Sequence, residues 1–379
     1  MSGLKDLSKV WQSVKEMDLQ PIRDEALQEV NIALVGRPGV AKEMLLEQMR
    51  RDLNRKGMET LAPALVIDYE GDDSVLKPAL SSDLMILVVE EKQTDQELEQ
   101  NLARRWADSG RRILMVLVQQ EGENEGEQKT PGGWAEWGKS RVLRGSLTDR
   151  EFYLRKFVPA VLDILPGKQL ALGRQFPLFR VAICRQLISE SCFSNAAYAF
   201  STGLAEVVPT LDIPLNVADM FVLSKNQAFL VYRLGLTLGL STRWQDYVTE
   251  FGGILGSGFF WRQVARQLVG LIPAWGIVPK VAVSYAGTYV VGNVVLQWYL
   301  TGKQLTAQQM RALYKEAFQH GKALAAQLAS RLPKPKLAKR KPKELPLPAK
   351  PAKLCANCNR TSSGDAVYCQ YCGHSFEES

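Results

Sequence analysis

The stretch NIALVGRPGVAKE at 31–43 joins a short apolar strand to a helix through a turn of small residues. Glycines in such a turn let backbone N–H groups converge, and a lysine opening the helix adds a point charge, an arrangement suited to phosphate oxygens. The consensus for such a cradle is G-x-x-x-x-G-K-[ST]. Gly36, Gly39 and Lys42 fit it, and Arg37, Pro38 and Val40 complete the loop, but Ala41 replaces the second glycine. Glu43 stands where a hydroxyl would hold Mg²⁺. The sequence predicts a phosphate cradle that has lost its metal anchor.

The pattern around this loop alternates. Apolar strands are expected at 30–35, 64–68, 84–90 and 112–118, and helices at 42–56, 94–108 and 148–164. Such alternation predicts βαβ units around a parallel sheet, with ligand loops at the C-terminal strand ends. The polar, Gly-rich run 120–139 reads as a solvated loop, and Leu165-Pro166-Gly167 closes the α/β region.

Beyond 176 the strand pattern stops, and apolar helical stretches are cut by Pro209, Pro214, Pro273 and Pro279. TAQQMRALYKEAFQHGKALAAQLA at 306–329 is an amphipathic helix expected to start at Thr306. Lys280 and Lys303 bracket 22 uncharged residues. As a helix these span about 33 Å, against about 30 Å of bilayer hydrocarbon. The 13 uncharged residues Gln267–Pro279 before them suit a re-entrant limb, so a membrane hairpin over 267–302 stands beside a water-soluble bundle with a buried helix. Ser284, Thr288, Asn293 and Gln297 weigh against insertion, because a bilayer tolerates them only with partners.

Charge and cysteine are both localised. The net charge is +7, yet RLPKPKLAKRKPKELPLPAKPAK at 331–353 alone carries +8, so the basicity belongs to one extended linker. Cys355, Cys358, Cys369 and Cys372 follow it as C-x₂-C-x₁₀-C-x₂-C. Two such knuckles give a closed tetrathiolate zinc site, the strongest signal in the chain. Cys184 and Cys192 read as buried thiols, and the pattern fits a reducing, cytosol-facing compartment. Residues 3–19 form an amphipathic pattern that Pro21 is expected to end, and MSGLKDLSKV lacks the apolar core of a secretory signal. His320 and His374 are the only histidines, so no histidine-based catalytic constellation is expected.

Several further motifs carry a family resemblance. LVID at 65–68 opens a D-x-x-G, Asp68 to Gly71, and SDLMILVVE supplies the next strand. Together with the 36–43 loop these resemble the Era-like GTPases over residues 28–166. The resemblance implies that Asp68 would reach Mg²⁺ through water and that the Gly71 N–H would sense a terminal phosphate. The guanine-reading N-K-x-D is absent, since Gln119, Gln120, Glu121 and Gly122 stand in its place, and Gly145-Ser146-Leu147 sits at the weak S-A position. FPLFRVAICRQLISE, NVADMFVLSKNQAFLVYRLGLTLG and LIPAWGIVPKVAVSYAGTYVVGNVVLQWYLTG resemble the helical domain of the bacterial YcjF-type family. That resemblance implies association with the cytoplasmic face of the inner membrane; a soluble bundle would instead place the chain in the cytoplasm.

The resulting expectation is an α/β Era-like domain, an all-α domain and a small zinc ribbon. The divisions are an N-terminal helix at 1–27, a degenerate GTPase-like domain at 28–167, a helical domain at 168–330, the linker at 331–353 and the ribbon at 354–379. Zn²⁺ is the expected cofactor, and GTP or another nucleotide the expected ligand of the cradle. The expected function is a non-catalytic or weakly nucleotide-binding adaptor whose ribbon docks an unknown protein. A slow Mg²⁺-dependent GTPase switch is one alternative. A ribosome- or nucleic-acid-associated factor acting through the linker and ribbon is another, disfavoured because the linker has no aromatics to stack on bases.

Overall fold

The structure, a computed structural model, describes residues 18–53, 59–93, 95–119, 134, 141–206, 215–247, 277–330, 353–362, 369, 372, 375 and 376. The chain divides into two compact units, Met1–Ser330 and Arg331–Ser379. Residues 3–17 of the amphipathic pattern and 331–352 of the charged linker lie outside the described residues.

In the first unit, β1 (Ile32–Gly36), β2 (Leu65–Asp68), β3 (Leu84–Glu90), β4 (Ile113–Val118) and β5 (Val142–Gly145) form one parallel sheet in the order β2-β1-β3-β4-β5. β1, β3 and β4 are nearly unbroken apolar runs because both sheet faces are covered. Alternate residues divide cleanly between two cores. Leu34, Ile86, Val88 and Val116 point to one face, where α2 (Ala41–Arg50) brings Leu45, Leu46 and Met49. Val35, Leu87, Val89 and Leu117 point to the other, covered by Leu102 and Trp106 of α3 (Glu97–Asp108) and by Leu76 and Ala79 of a 3₁₀ segment, Asp73–Ser81.

Local readings from sequence needed adjustment. Pro21 sits in the first turn of α1 (Gln20–Leu27), where a missing N–H costs nothing, while the helix expected before it lies outside the described residues. The helix expected over 42–56 stops at Arg50, and that expected over 148–164 is interrupted by a wide π turn, Tyr153–Phe157, leading into α4 (Val158–Ile164). Trp134, inside the expected solvated loop, is fully buried and donates its indole N–H to Gln96 Oε1 at 2.8 Å.

The helical part follows directly. α5 (Gln169–Gln175), α6 (Arg180–Glu206) and α7 (Leu215–Thr237) continue the core begun on the α2 face, through Leu170, Phe179, Ile183, Leu187 and Tyr232. α8 (Ile277–Thr301) packs against α6 and α9 (Ala307–Ser330). Thr306 starts α9 as expected, in a reciprocal cap: its hydroxyl accepts from Gln309 N at 3.2 Å, and its N–H donates to Gln309 Oε1 at 2.9 Å.

Of the two alternatives for 267–302, the described part agrees with the helix buried in protein. Residues 267–276 lie outside the described residues, and the remainder is the single helix α8. Its apolar run is spent on protein: Val281, Ala282, Ala286, Val290 and Val291 are buried among neighbouring helices. Thr288 Oγ1 accepts from Asn195 Nδ2 at 2.8 Å, Ser284 Oγ donates to Asn195 O at 3.0 Å, and Asn226 Nδ2 donates to Asn195 Oδ1 at 2.6 Å. These polar groups, with Tyr285, Tyr289 and Gln297, dilute the helix's hydropathy. No helix among the described residues is long and apolar enough to cross a membrane. Asp219's side chain lies outside the described residues.

Candidate functional site

An open parallel sheet offers its ligand crevice at the C-terminal strand ends, where the chain reverses its direction of strand addition. Here that point lies between β1 and β3. Gly36 ends β1, residues 37–40 turn, and α2 begins at Ala41. Gly36 is sterically required: a Cβ there would lie 2.4 Å from the backbone O of Val88 on β3. Register places Asp68, the end of β2, directly beside Gly36. The structure thereby brings the 36–43 loop and Asp68 together. Gly71, with φ +108°, follows in the turn after β2.

Both cations of the loop are engaged by carboxylates from elsewhere in the chain. Lys42 is 1% exposed; its Nζ pairs with Asp68 Oδ1 at 2.9 Å and also donates to the Arg37 carbonyl. Arg37 turns to α3: its Nε donates to Glu99 Oε1 at 2.6 Å and its other guanidinium nitrogen to Asp95 O at 3.0 Å. Donating to the Glu99 carboxylate raises the guanidinium pKa further, so its charge is permanent. Glu99 is 2% exposed and also accepts from Gln93 Nε2 at 2.9 Å. Glu43 lies exposed in the first turn of α2, and Val40 supplies no side-chain cap.

A cleft of roughly 490 Å³ opens beside the loop, across the ends of β3, β4 and β5. Val40, Ala41 and Met44 form one wall, Glu90 and Gln119 reach it from β3 and β4, and Ser146 and Thr148 close it. Gln119 thus lies where the resemblance located base reading, while residues 120–133 lie outside the described residues. Gly145 has a packing reason of its own, since a Cβ there would lie 2.3 Å from the Phe152 ring. Glu90, Met44 and Thr148 were not singled out from sequence, because only the tertiary arrangement of strand ends gathers them.

The second unit is built around its thiols. β6 (Lys353–Leu354) and β7 (Thr361–Ser362) pair antiparallel on either side of the first knuckle. Asn359, at φ +57°, donates its N–H to Cys355 O, and Cys355 N donates to Arg360 O at 3.0 Å, which folds Cys358 back towards Cys355. The Sγ atoms of Cys355 and Cys372 are 3.6 Å apart, those of Cys358 and Cys369 3.5 Å, and all four lie within 4.8 Å of one another. A tetrahedral Zn–S₄ centre with bonds of about 2.3 Å needs sulfurs about 3.8 Å apart. The donor set and spacing fit that ion. Cys355 and Cys369 are buried and Cys372 is exposed, with Asn357 Nδ2 3.7 Å from its sulfur. Cys184 and Cys192, by contrast, are separate buried thiols of α6, and burial pushes the Cys192 thiol up to about 12.

No protein-family model matches the chain. A protein named magnetosome membrane protein 22, from Magnetospirillum gryphiswaldense, is 31% identical over 158 residues, which cover 40% of this chain and 78% of the relative. With that identity over most of the relative's length, the chain belongs to the family of magnetosome membrane protein 22.

Proposed function

We propose that the protein is a membrane-associated adaptor whose Era-like α/β domain has stopped turning over nucleotide and whose C-terminal ribbon, folded on Zn²⁺, docks a protein partner. The observation that carries the reading is the state of the cradle. Its buried lysine is neutralised by Asp68, and the position of a Mg²⁺-holding hydroxyl is the carboxylate of Glu43. Hydrolysis of a terminal phosphate needs Mg²⁺ across the β and γ oxygens and a positioned water. Here Asp68 already pairs with the cradle lysine and Glu43 stands at the metal-anchor position, and like charge disfavours a polyphosphate without metal.

The membrane part of the proposal draws on the relative, which is named a membrane protein. It takes the form of peripheral attachment, in keeping with a helical region whose apolar α8 is consumed by packing against protein. The +8 linker favours an anionic, cytoplasmic leaflet. Cys355, Cys358, Cys369 and Cys372 would hold Zn²⁺ as a closed structural site, and metal binding would supply most of the folding energy of so small a unit.

Analysis of the purified full-length chain tests the proposal. The expected result is about one zinc per chain, nucleotide far below stoichiometric, and release from membranes by alkaline carbonate. Stoichiometric nucleotide retained with Mg²⁺, or resistance to carbonate, overturns it.

A further inference from the structure

Resting on that reading of the cradle, we infer that Asp68 is an intrachain latch: its carboxylate occupies Lys42 in place of a ligand phosphate and keeps the loop weak for anions until it swings away. The geometry separates the two carboxylates that engage the loop. Glu99 is buried, accepts from both Arg37 and Gln93, and is fixed on α3. Asp68 has a side chain 61% exposed, paired with a lysine that is 2% exposed. The lysine is therefore held by its burial and by the Arg37 carbonyl, while its partner faces water.

Release requires little rearrangement. Asp68 is the last residue of an edge strand, and the next residue, Tyr69, is buried, with its hydroxyl donating to Asp73 Oδ1 at 2.9 Å and accepting from Arg105 at 2.8 Å. The backbone is thus pinned just beyond the latch, and the carboxylate can leave Lys42 by side-chain rotation alone. With Asp68 turned out, Lys42 and the N–H groups at the start of α2 would face one anion together. With it in place, an incoming phosphate must displace a carboxylate already 2.9 Å from the ammonium. The ligand class is a phosphate or pyrophosphate group, and the latch sets its affinity.

Titration calorimetry of the full chain with Mg²⁺-free inorganic pyrophosphate tests this, using wild type, Asp68→Asn, Lys42→Met and the double variant. Asparagine keeps the shape of the exposed side chain and removes its charge, and far-UV circular dichroism with thermal melts checks folding. Asp68→Asn is expected to bind about tenfold more tightly than wild type, to gain thermal stability with pyrophosphate, and to lose both gains when Lys42→Met is added. An Asp68→Asn affinity no better than wild type, including no measurable binding by either, overturns the latch, as does a gain that survives in the double variant. Stoichiometric nucleotide on the wild-type chain would instead sink the adaptor reading whatever Asp68→Asn does, so the two ideas fail separately.

Discussion

Replacing Asn195 with alanine tests how the helical region holds α8 inside protein. Asn195 is fully buried; its amide donates to Thr288 Oγ1 at 2.8 Å on α8 and accepts from Asn226 Nδ2 at 2.6 Å on α7. Alanine removes two hydrogen bonds, each contributing about 1 kcal/mol net. The stranded groups are only partly orphaned. Thr288 keeps its donation to Ser284 O at 2.9 Å, and half-buried Asn226 can turn towards water. The loss should therefore be about 2–3 kcal/mol, not the larger penalty of two fully unsatisfied groups. With a urea slope of about 3 kcal/mol per molar, the midpoint falls by about 0.7–1 M. The assay is urea unfolding of the full chain followed by far-UV circular dichroism, for wild type, Asn195→Ala, Thr288→Val and the double variant. Residues in direct contact should couple by about 1 kcal/mol in that cycle. A midpoint change below about 0.2 M, or strict additivity of the two substitutions, would show that this network does not tie α6 to α8.

Three other predictions follow from particular contacts. Gly36→Ala would set a Cβ 2.4 Å from Val88 O, forcing β1 from β3 at the heart of the sheet; a loss of about 2 kcal/mol or more is expected in the same urea assay. Cys358→Ser should abolish stoichiometric zinc and expose the region beyond 350 to limited proteolysis, leaving the fragment to Ser330 intact. Tyr314 is buried with no hydrogen-bond partner for its hydroxyl among the described residues, and burial pushes its pKa up to about 12. The folded state thus holds the neutral phenol while the unfolded chain ionises near pH 10, so this contribution is full below pH 10 and is lost as pH rises towards 12. Tyr314→Phe should be neutral or stabilising at pH 7 and should flatten part of the alkaline decline in melting temperature.

Much of the fold was legible because burial on both faces writes strands as continuous apolar runs: β1, β3 and β4 stand within a residue or two of their expected positions. β5 was missed because VLRG is short and half polar; Arg144 there pairs with Glu91, 53 positions away in the chain. Thr306 with Gln309 was readable as a helix start because that cap is local. The site shows the same division. The loop could be read from spacing alone, but the pairing of Lys42 with Asp68 depends on the β1–β2 register, whereas for Asp68 the family resemblance implied only a contact with Mg²⁺ through water. The 22-residue uncharged run left a membrane hairpin and a buried helix both open for a related reason. An apolar stretch of that length reads alike whether lipid or protein covers it, and the partners of α8, Asn195 and the faces of α6 and α9, come from distant parts of the chain.

In the proposed function this α/β domain keeps an anion-holding loop without the groups that cleave a terminal phosphate. Phosphate release from GTP by the purified full chain, with and without Mg²⁺, tests it most directly. No release above the protein-free background is expected in either condition. Sustained Mg²⁺-dependent turnover that disappears in Lys42→Ala would contradict it.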